Sequence, residues 1–508
     1  MQPTQLTINY LFDRAEKYHR NKTITTATAT GIDTVTYGEW ADRTRRIATA
    51  LDTLGISPHG RVATFAWNTQ RHLELYFAAP CSGRVLHTLN IRLFPEQLTY
   101  IVNHAEDEII FIDTSIYALI EPLLSTFTTV KHLVFMNDGK GEAPASVPGF
   151  QVHDYEQLVA QSAPKQWPTI DDENRAASMC YTSGTTGNPK GVVYSHRSTY
   201  LHTMGTMLTD SIGVGESDVI LPVVPMFHAN SWGLAHAGVA SGADLVMPGP
   251  DLSGPAVAKL IVDQKVTVAA GVPTIWMAVL PELKGKDTSS LRCIPCGGSA
   301  VPKALSEAYR EQTGLPILQA WGMTETSPAG TMLDGADAVR KVGSAGKAMM
   351  HTAIRIVDDE GKDVAPGGIG ELLIKGPNIT PGYWNKPEAT AAAFTDGWLH
   401  TGDLGYIDDE GFVYIVDRLK DMIISGGENV SSIEVEDAVF SHPDVAEVAV
   451  IGIPDEKWGE SVKAVVVLRE GATVEATELI ALVKERKGAH YAPKTVDFAT
   501  SLPLSPLG

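Results

Sequence analysis

The sequence of 508 residues is poor in cysteine and in positive charge. Its four cysteines, Cys81, Cys180, Cys293 and Cys296, do not form a disulfide framework, so we expect a reducing, cytoplasmic compartment. The 60 acidic residues outnumber the 40 basic ones and give a formal net charge of -20. So acidic a surface excludes recruitment by nucleic acid or by anionic lipid.

Long hydrophobic runs are also missing. No stretch approaches the ~18 apolar residues that a membrane span needs. Residues 1–20 carry Asp13 and Glu16 and lack the continuous apolar core of a signal peptide. Hydrophobic residues nevertheless make up 44% of the chain, as in well-packed globular proteins, and its length predicts several subdomains.

Helix and strand patterns alternate along the chain. Residues 37–54 have the apolar spacing of an amphipathic helix, while 61–67, 108–112 and 266–270 are short apolar runs typical of buried strands. Strands that alternate with helices favour parallel sheets with helical crossovers. The sequence therefore predicts an α/β protein.

A domain boundary is predicted near Asp417. The strand pattern of 411–416 ends there, a charged stretch follows, and a compact α+β pattern begins. Ser431 and Glu434 have capping-box spacing for a helix through Phe440. We expect a large N-terminal domain, 1–416, and a small C-terminal one, 417–508, of about 90 residues.

A loop rich in glycine and hydroxyl groups, 181–191, is the most informative segment. Glycines allow backbone N–H groups to surround an anion, hydroxyls add donors, and a lysine adds positive charge. The predicted phosphate-binding residues are Thr182, Ser183, Gly184, Thr185, Thr186 and Lys190. The loop is not a Walker motif, because Pro189 stands where that motif has glycine. The alternative is a flexible surface loop without a ligand.

This loop resembles the first signature of the adenylate-forming enzymes, which include acyl-CoA synthetases, adenylation domains and luciferases. Further segments resemble the later signatures of that family in the same order, namely 319–326, 398–403, 417–421 and 425–428. Residues 92–96 and 225–232 are most similar to medium- and long-chain fatty acyl-CoA synthetases. The resemblance implies parallel-sheet subdomains and a β-barrel-like part in the large domain, with a mobile small domain.

The resemblance also implies a two-step reaction. A carboxylate attacks the α-phosphate of Mg²⁺-ATP and gives an acyl-adenylate and pyrophosphate. The small domain then rotates, and the thiol of CoA attacks the acyl carbonyl and releases AMP. ATP or AMP, CoA and Mg²⁺ are thus the implied ligands, and a homodimer is common among similar synthetases.

Most of the implied roles concern the nucleotide. Thr324 is expected to contact phosphate and Glu325 to ligate Mg²⁺, which prefers oxygen ligands. Asp403 is expected to accept the ribose hydroxyls, because a carboxylate offers two acceptor oxygens. The remaining implied nucleotide contacts are Gly298, Ser299, Trp321, Gly322, Met323 and Arg418.

The other implied roles concern the acyl group, CoA and the hinge. His228, Trp232, Gly297 and Gly322 are expected near the acyl group, with Trp232 gating its tunnel. Gly426 and Gly427 are expected along the pantetheine path. Lys420 is the implied hinge, where a large backbone rotation is absorbed. His228, Thr324, Glu325, Lys420 and Gly427 form the predicted catalytic set. Small residues at Ala229, Gly233, Ala235 and Gly297 suggest room for a bulky or long acid, and the alternative is that several of them are helix-packing positions.

Each residue also has a structural alternative. Asp403 follows Thr-Gly and fits a turn cap, and Glu325 fits an acid at a helix N-terminus. His228 fits a buried, hydrogen-bonded histidine, and Trp232 fits the core. Cys293 and Cys296 have CxxC spacing, but no second pair at zinc spacing accompanies them, so we interpret both as small buried residues.

The last residues, 502–508, stop where the resembled family continues with a catalytic lysine. One interpretation is a trimmed chain whose natural form contains that lysine. The other is a natural terminus, which predicts weak adenylation and a separate ligase that supplies the acyl-adenylate. In that case the chain would resemble the non-adenylating ligases of platensimycin-type pathways. A non-catalytic adenylate binder and an adenylation domain that loads a carrier protein are further alternatives.

Overall fold

The computed structural model describes residues 2–182, 188–425, 428–455 and 458–503. The strands are β1 (Thr23–Thr28), β2 (Gly31–Thr36), β3 (Arg61–Phe65), β4 (Val85–Thr88), β5 (Asp107–Asp113), β6 (His132–Met136), β7 (Gln151–Asp154), β8 (Ala176–Tyr181), β9 (Gly191–Ser195), β10 (Val219–Pro222), β11 (Asp244–Met247), β12 (Val268–Ala270), β13 (Pro295–Cys296), β14 (Leu318–Gly322), β15 (Ala329–Met332), β16 (Lys347–Ala348), β17 (Ala353–Val357), β18 (Gly370–Lys375), β19 (Phe394–Thr395), β20 (Trp398–Ile407), β21 (Val413–Arg418), β22 (Ile423–Ser425), β23 (Glu428–Val430), β24 (Val445–Asp455), β25 (Gly459–Leu468) and β26 (Thr495–Phe498).

Helices connect most of these strands. The α-helices are α1 (Ile8–Tyr18), α2 (Tyr37–Thr53), α3 (Gln70–Cys81), α4 (Pro95–Ala105), α5 (Tyr117–Ile120), α6 (Tyr155–Gln161), α7 (His196–Met207), α8 (Leu234–Ser241), α9 (Gly254–Asp263), α10 (Pro273–Val279), α11 (Lys303–Thr313), α12 (Gly335–Arg340), α13 (Pro387–Ala393), α14 (Ser432–Phe440) and α15 (Ala476–Lys487).

Two mostly parallel sheets form the first part of the chain, as the alternating pattern predicts. One has the order β7-β6-β5-β3-β4-β8-β9, and the other the order β12-β10-β11-β1-β2. In each sheet one edge strand is antiparallel, β9 beside β8 and β2 beside β1. The predicted helix at 37–54 is α2, which begins with a capping box between Thr36 and Glu39.

Two smaller sheets carry the later signature segments. The sheet β13-β14-β15-β16 is parallel between its first two strands and antiparallel thereafter. The second sheet is antiparallel, with the order β17-β18-β20-β19 and with β21 also paired to β20. Hydrophobic side chains of both sheets share one core, which includes Trp321, Leu372 and Leu399.

The last part of the chain is α+β, as predicted. Its sheet has the order β23-β22-β25-β24, with β26 parallel to β25, and α14 and α15 pack against each other beside it. Ser431 caps α14 through the backbone N–H of Glu434, which confirms that cap. The division at 417 stays a prediction: β21 runs through Asp417 to Arg418 beside β20, and the next strand belongs to the last sheet.

Buried polar side chains fix the segment before the expected acyl site. The Asn68 amide donates to the carbonyl oxygens of Pro222 and Val224, at 2.8 and 2.9 Å. Its oxygen accepts the backbone N–H of Met226 at 2.7 Å, and the Tyr76 hydroxyl donates to the Met226 carbonyl. Satisfied buried groups of this kind hold one backbone conformation, because breaking them leaves unpaired polar atoms.

Two further expectations can be compared with the structure. All four cysteines are free and buried, including Cys293 and Cys296, which confirms them as small buried residues. Within the described part of the chain, no helix combines the length and the apolar character needed to cross a membrane.

Candidate active site

A buried carboxylate, that of Glu325, lies in the turn between β14 and β15. Its side chain is 5% exposed, and its Oε1 accepts the hydroxyl hydrogen of Tyr383 at 2.7 Å. Burial raises the pKa of Glu325, while the Tyr383 hydrogen bond and the positive charge of Lys190 lower it. The Lys190 ammonium lies 4.8 Å from the centre of the Tyr383 ring. We call Lys190, Glu325 and Tyr383 the Glu325 corner.

Three hydrogen bonds with backbone groups hold the residues of the Glu325 corner and their neighbours in place. The Tyr194 hydroxyl donates to the Thr324 carbonyl at 2.7 Å, and the Thr380 N–H donates to the Glu325 carbonyl at 2.8 Å. Lys190 pairs with Thr182, whose hydroxyl accepts the Lys190 N–H at 3.1 Å. The predicted residues Thr182, Lys190, Thr324 and Glu325 are therefore brought together.

A second buried carboxylate, that of Asp403 on β20, is 5% exposed. Its Oδ2 accepts the indole N–H of Trp321 at 2.7 Å, across 82 positions of the chain. Its Oδ1 lies 3.3 Å from Nε of Arg418, which is opposite Asp403 on β21. We call Trp321, Asp403 and Arg418 the Asp403 corner.

The charges of the two corners are linked. Burial raises the pKa of Asp403, whereas Arg418 and the Trp321 hydrogen bond lower it. Arg418 also lowers the pKa of Glu325, so its guanidinium acts on both carboxylates. Two buried carboxylates that share the influence of one guanidinium are typical of a functional site.

The predicted acyl segment has an unusual backbone. Ala229, Asn230, Ser231 and Trp232 all have positive φ values, between 43° and 53°. Such a left-handed run costs roughly 1–2 kcal/mol per non-glycine residue. It is held by buried hydrogen bonds, from the Asn230 amide to the Ser178 hydroxyl at 2.7 Å and from the Ser231 hydroxyl to the Val224 carbonyl at 2.9 Å. Strain of this kind concentrates at functional sites.

The left-handed run brings Trp232 against the predicted glycines. A Cβ added to Gly297 would lie 3.5 Å from the Trp232 ring and 3.0 Å from the Ala320 carbonyl oxygen. Gly298 has φ +86°, and a Cβ there would lie 4.0 Å from the same ring. Trp232 therefore lies beside Gly297 and Gly298, and the roles of the three residues at the acyl group and the nucleotide stay predictions.

Of the two interpretations of Gly233, the structure favours helix packing over room for a long acid. A Cβ added to Gly233 would lie 2.4 Å from Nδ1 of His202, so the imidazole already fills that space. Gly233 also has φ +75°, a conformation that favours glycine. Its small size is required by helix packing between α7 and α8 rather than by a tunnel.

A small buried cavity lies between α7, α8 and the left-handed run. Its lining includes Tyr194, Thr199, His202, Asn230, His236 and Ser327. Burial lowers the pKa of His202 to about 3 and that of His236 to about 4, so both rings are neutral near pH 7. The two histidines therefore bring no charge to the cavity, and Ser327 places it beside the turn that carries Glu325.

His228 directly precedes the left-handed run, and its backbone N–H donates to the Pro225 carbonyl at 3.0 Å. Burial and the nearby Arg92 guanidinium lower its pKa to about 4. A neutral imidazole can accept or donate a hydrogen bond but carries no charge at pH 7. Any contribution of His228 to catalysis is thus that of a neutral group.

Some of the other predicted residues lie within the described ranges, and the rest lie outside them. Ser299 is exposed just after β13, Gly322 and Met323 lie between Trp321 and Thr324, and Lys420 is exposed in the turn after β21. A Cβ on Gly322 would lie 1.9 Å from the Pro328 carbonyl oxygen, so only glycine fits there. The predicted residues outside the described ranges are Ser183, Gly184, Thr185, Thr186, Gly426 and Gly427.

Sequence reasoning missed Tyr383, Tyr194 and His202. Tyr383 follows a Pro-Gly turn signal at 381–382, which could have marked it as a residue held in a fixed loop. Tyr194 lies on β9, the strand that follows the glycine-rich loop, and its place near that loop in sequence is the signal that could have marked it. His202 has no comparable signal, because a lone histidine inside a helix is usually a core residue.

Comparisons with known proteins identify the family of the chain. The family model described as AMP-binding enzyme matches residues 11–384, and that of the AMP-binding enzyme C-terminal domain matches 434–508. The chain belongs to the AMP-binding enzyme family. It is an enzyme of the acid–thiol ligase type, and the predicted α/β fold is confirmed.

Relatives and solved structures cover nearly the whole chain. A 3-methylmercaptopropionyl-CoA ligase of Ruegeria pomeroyi is 41% identical over 99% of this chain and 95% of its own length. A medium-chain-fatty-acid–CoA ligase of Ectopseudomonas oleovorans is 38% identical over 100% and 95%. The structure of ATP-bound MatB from Rhodopseudomonas palustris is 30% identical, with a TM-score of 0.85 over 99% of this chain and 97% of that one.

Proposed function

We propose that the chain joins a carboxylic acid to CoA in an ATP-dependent reaction that passes through an acyl-adenylate. The observation that carries this proposal is the pair of buried carboxylates, Glu325 and Asp403, each with a donor already in place. A buried carboxylate is costly unless it is used, and two with raised pKa values beside one guanidinium favour a functional site. The relatives named as CoA ligases support the same reaction class.

Glu325 fits a magnesium ion that accompanies ATP. Its Oε1 accepts the Tyr383 hydroxyl, and the two oxygens of a carboxylate together offer further lone pairs that would ligate a cation. Magnesium is usually held by one or two carboxylates together with substrate phosphates, and it would neutralise phosphate charge when bound. Tyr383 would keep the carboxylate oriented, and Lys190 would add positive charge on the same side.

The remaining residues would act in the adenylation step, in the thioester-forming step or in both. Lys190 and Thr324 would hold the phosphates while the acid carboxylate attacks the α-phosphorus and pyrophosphate leaves. Asp403 would accept the ribose hydroxyls in both steps, and Trp321 would lie against adenine. In the second step the CoA thiolate attacks the acyl carbonyl, the bond to AMP breaks, and AMP leaves with its charge near Arg418.

The acyl group is proposed from the relatives. They include a 3-methylmercaptopropionyl-CoA ligase and a medium-chain-fatty-acid–CoA ligase, so we propose a short- to medium-chain acid. The space beside Gly233, which His202 fills, is not open to a longer chain. We expect kcat/KM to be higher for 3-(methylthio)propionate, hexanoate and decanoate than for palmitate.

The test separates the two half-reactions. One arm contains the acid, Mg²⁺-ATP and CoA, and the other contains the synthetic acyl-adenylate and CoA; acyl-CoA is measured by mass spectrometry. Product in both arms supports the full reaction. Product from the adenylate alone supports only thioester formation, and no product in either arm across the four acids contradicts the proposal.

The expectation of weak adenylation stays a prediction, because it concerns residues outside the described ranges. The same two arms can be run on residues 1–508 and on a version with one lysine appended. If the family role of that lysine applies, the appended version forms acyl-CoA faster in the ATP arm only. A cytoplasmic location, a homodimer and a separate adenylating ligase also stay predictions.

A further inference from the structure

We propose that the indole N–H of Trp321 is a positioning group that sets the Asp403 carboxylate for the two ribose hydroxyls. The inference rests on the proposed function, because it assumes that a nucleotide binds at the Asp403 corner. The resemblance assigns Trp321 only a ring that lies against adenine. The hydrogen bond gives the same side chain a second task.

The geometry leaves no doubt about the direction of the hydrogen bond. Indole has one donor and no acceptor, so at 2.7 Å Nε1 donates and Oδ2 of Asp403 accepts. Both groups are buried, Trp321 at 9% and Asp403 at 5% exposure. A hydrogen bond to a charged group in such surroundings is stronger than an ordinary one.

The Trp321 ring is itself held in place. A Cβ on Gly330 would lie 2.6 Å from Cζ3 of Trp321, so the backbone of β15 packs directly on the ring. The register between β14 and β15 shifts between Trp321 and Gly322, and such irregularities re-aim side chains. The N–H is therefore aimed at Asp403 by packing rather than by the hydrogen bond alone.

The other partner of Asp403 is different in kind. The Arg418 side chain is 55% exposed, its Nε is 3.3 Å from Oδ1, and it lies at the end of β21 next to the predicted hinge. An exposed contact of this length is weak and screened by solvent. Trp321 is thus the fixed partner, and Arg418 is free to change its contacts when the small domain moves.

The carboxylate keeps enough acceptor capacity for ribose. Two carboxylate oxygens offer about four lone-pair sites, of which Trp321 and Arg418 use one each. The two remaining sites, one on each oxygen, match two neighbouring hydroxyl groups. Loss of the indole N–H would let the carboxylate rotate and would leave Oδ2 with one donor fewer.

The test compares two nucleotides on two forms of the full chain. AMP and 2′,3′-dideoxy-AMP are titrated into the unmutated protein and into Trp321→Phe, which keeps an aromatic ring and lacks the N–H. We expect the Kd of AMP to rise about tenfold, the typical cost of a lost hydrogen bond to a charged group, and that of the dideoxy nucleotide to change less than about twofold. Equal losses for both nucleotides would overturn the inference and leave Trp321 as a packing and stacking residue.

A thermal unfolding measurement shows whether Trp321→Phe is folded, and a second variant provides the test if it is not. Site-specific incorporation of β-(3-benzothienyl)alanine at position 321 keeps the two-ring shape and replaces the N–H by sulfur. The same selective loss with AMP is expected, and an unchanged Kd would overturn the inference. Absence of AMP binding to the unmutated chain would contradict the proposed function, so the two failures are distinguishable.

Discussion

The Glu325 corner and the Asp403 corner each bury one carboxylate at 5% exposure, but they surround it differently. Glu325 is held by Tyr383 and Lys190, from segments that precede the predicted hinge. Asp403 is held by the buried Trp321 and by the exposed Arg418 beside that hinge. If the small domain rotates as the resemblance implies, the first corner would stay fixed, whereas the contact of Arg418 in the second would change.

The largest effect is expected at Glu325. Glu325→Gln keeps the shape and removes the charge that would meet magnesium and the phosphates, so kcat with acid and ATP should fall about a hundredfold or more. The rate from synthetic acyl-adenylate should fall much less, because no pyrophosphate leaves in that step. Acyl-CoA formation is measured from acid with ATP and from synthetic acyl-adenylate. Equal losses in the two reactions would show that Glu325 does not act specifically in adenylation.

The Asp403 corner should respond through affinity instead. Asp403→Ala removes two acceptors for ribose, and the KM for ATP should rise about thirtyfold while kcat at saturating ATP changes little. Steady-state kinetics with varied ATP measures both. A fall in kcat with an unchanged KM would show that Asp403 acts in the chemical step and not in nucleotide binding.

The comparison shows what the sequence could and could not predict. Glu325, Asp403 and Lys190 stand in short segments with recognisable spacing, so their chemistry could be inferred from local order. The pairing of Trp321 with Asp403 spans 82 positions and depends on how two sheets pack, which no local pattern encodes. The strand pairing that brings Arg418 opposite Asp403 is likewise a tertiary fact.

The same limit applies to the acyl site. Small residues near His228 were interpreted as tunnel room, but the space beside Gly233 is occupied by His202 from another helix. Helix and strand positions were predicted well because their apolar periodicity is local. The left-handed run from Ala229 to Trp232 could not be predicted, since nothing in its residue types requires positive φ and distant contacts such as Asn230 with Ser178 hold it.

A smaller effect is expected at Tyr383. Its hydroxyl lowers the pKa of Glu325, which burial raises, so Tyr383→Phe should raise that pKa further. Because the ionised carboxylate is the active form, the acidic limb of the kcat profile should move to higher pH in Tyr383→Phe. The acidic limb of the kcat profile gives the measurement, and a limb that stays in place would contradict this role.

The smallest effect is expected at Arg418. The side chain is 55% exposed, so Arg418→Ala should raise the KM for ATP only about threefold, and less at high salt. Arg418→Lys is the matched control that keeps the charge. An increase in the KM for ATP as large as that of Asp403→Ala would show that Arg418 contributes as much to nucleotide binding as Asp403.

In the proposed reaction an acid carboxylate attacks the α-phosphate of ATP, so one of its oxygens ends in AMP. The decisive measurement supplies 3-(methylthio)propionate labelled with ¹⁸O in its carboxylate, together with Mg²⁺-ATP and CoA, and determines the mass of the nucleotide product. We expect AMP that carries one ¹⁸O atom, in an amount equal to the acyl-CoA formed. Acyl-CoA accompanied by ADP, or by AMP without label, would contradict it.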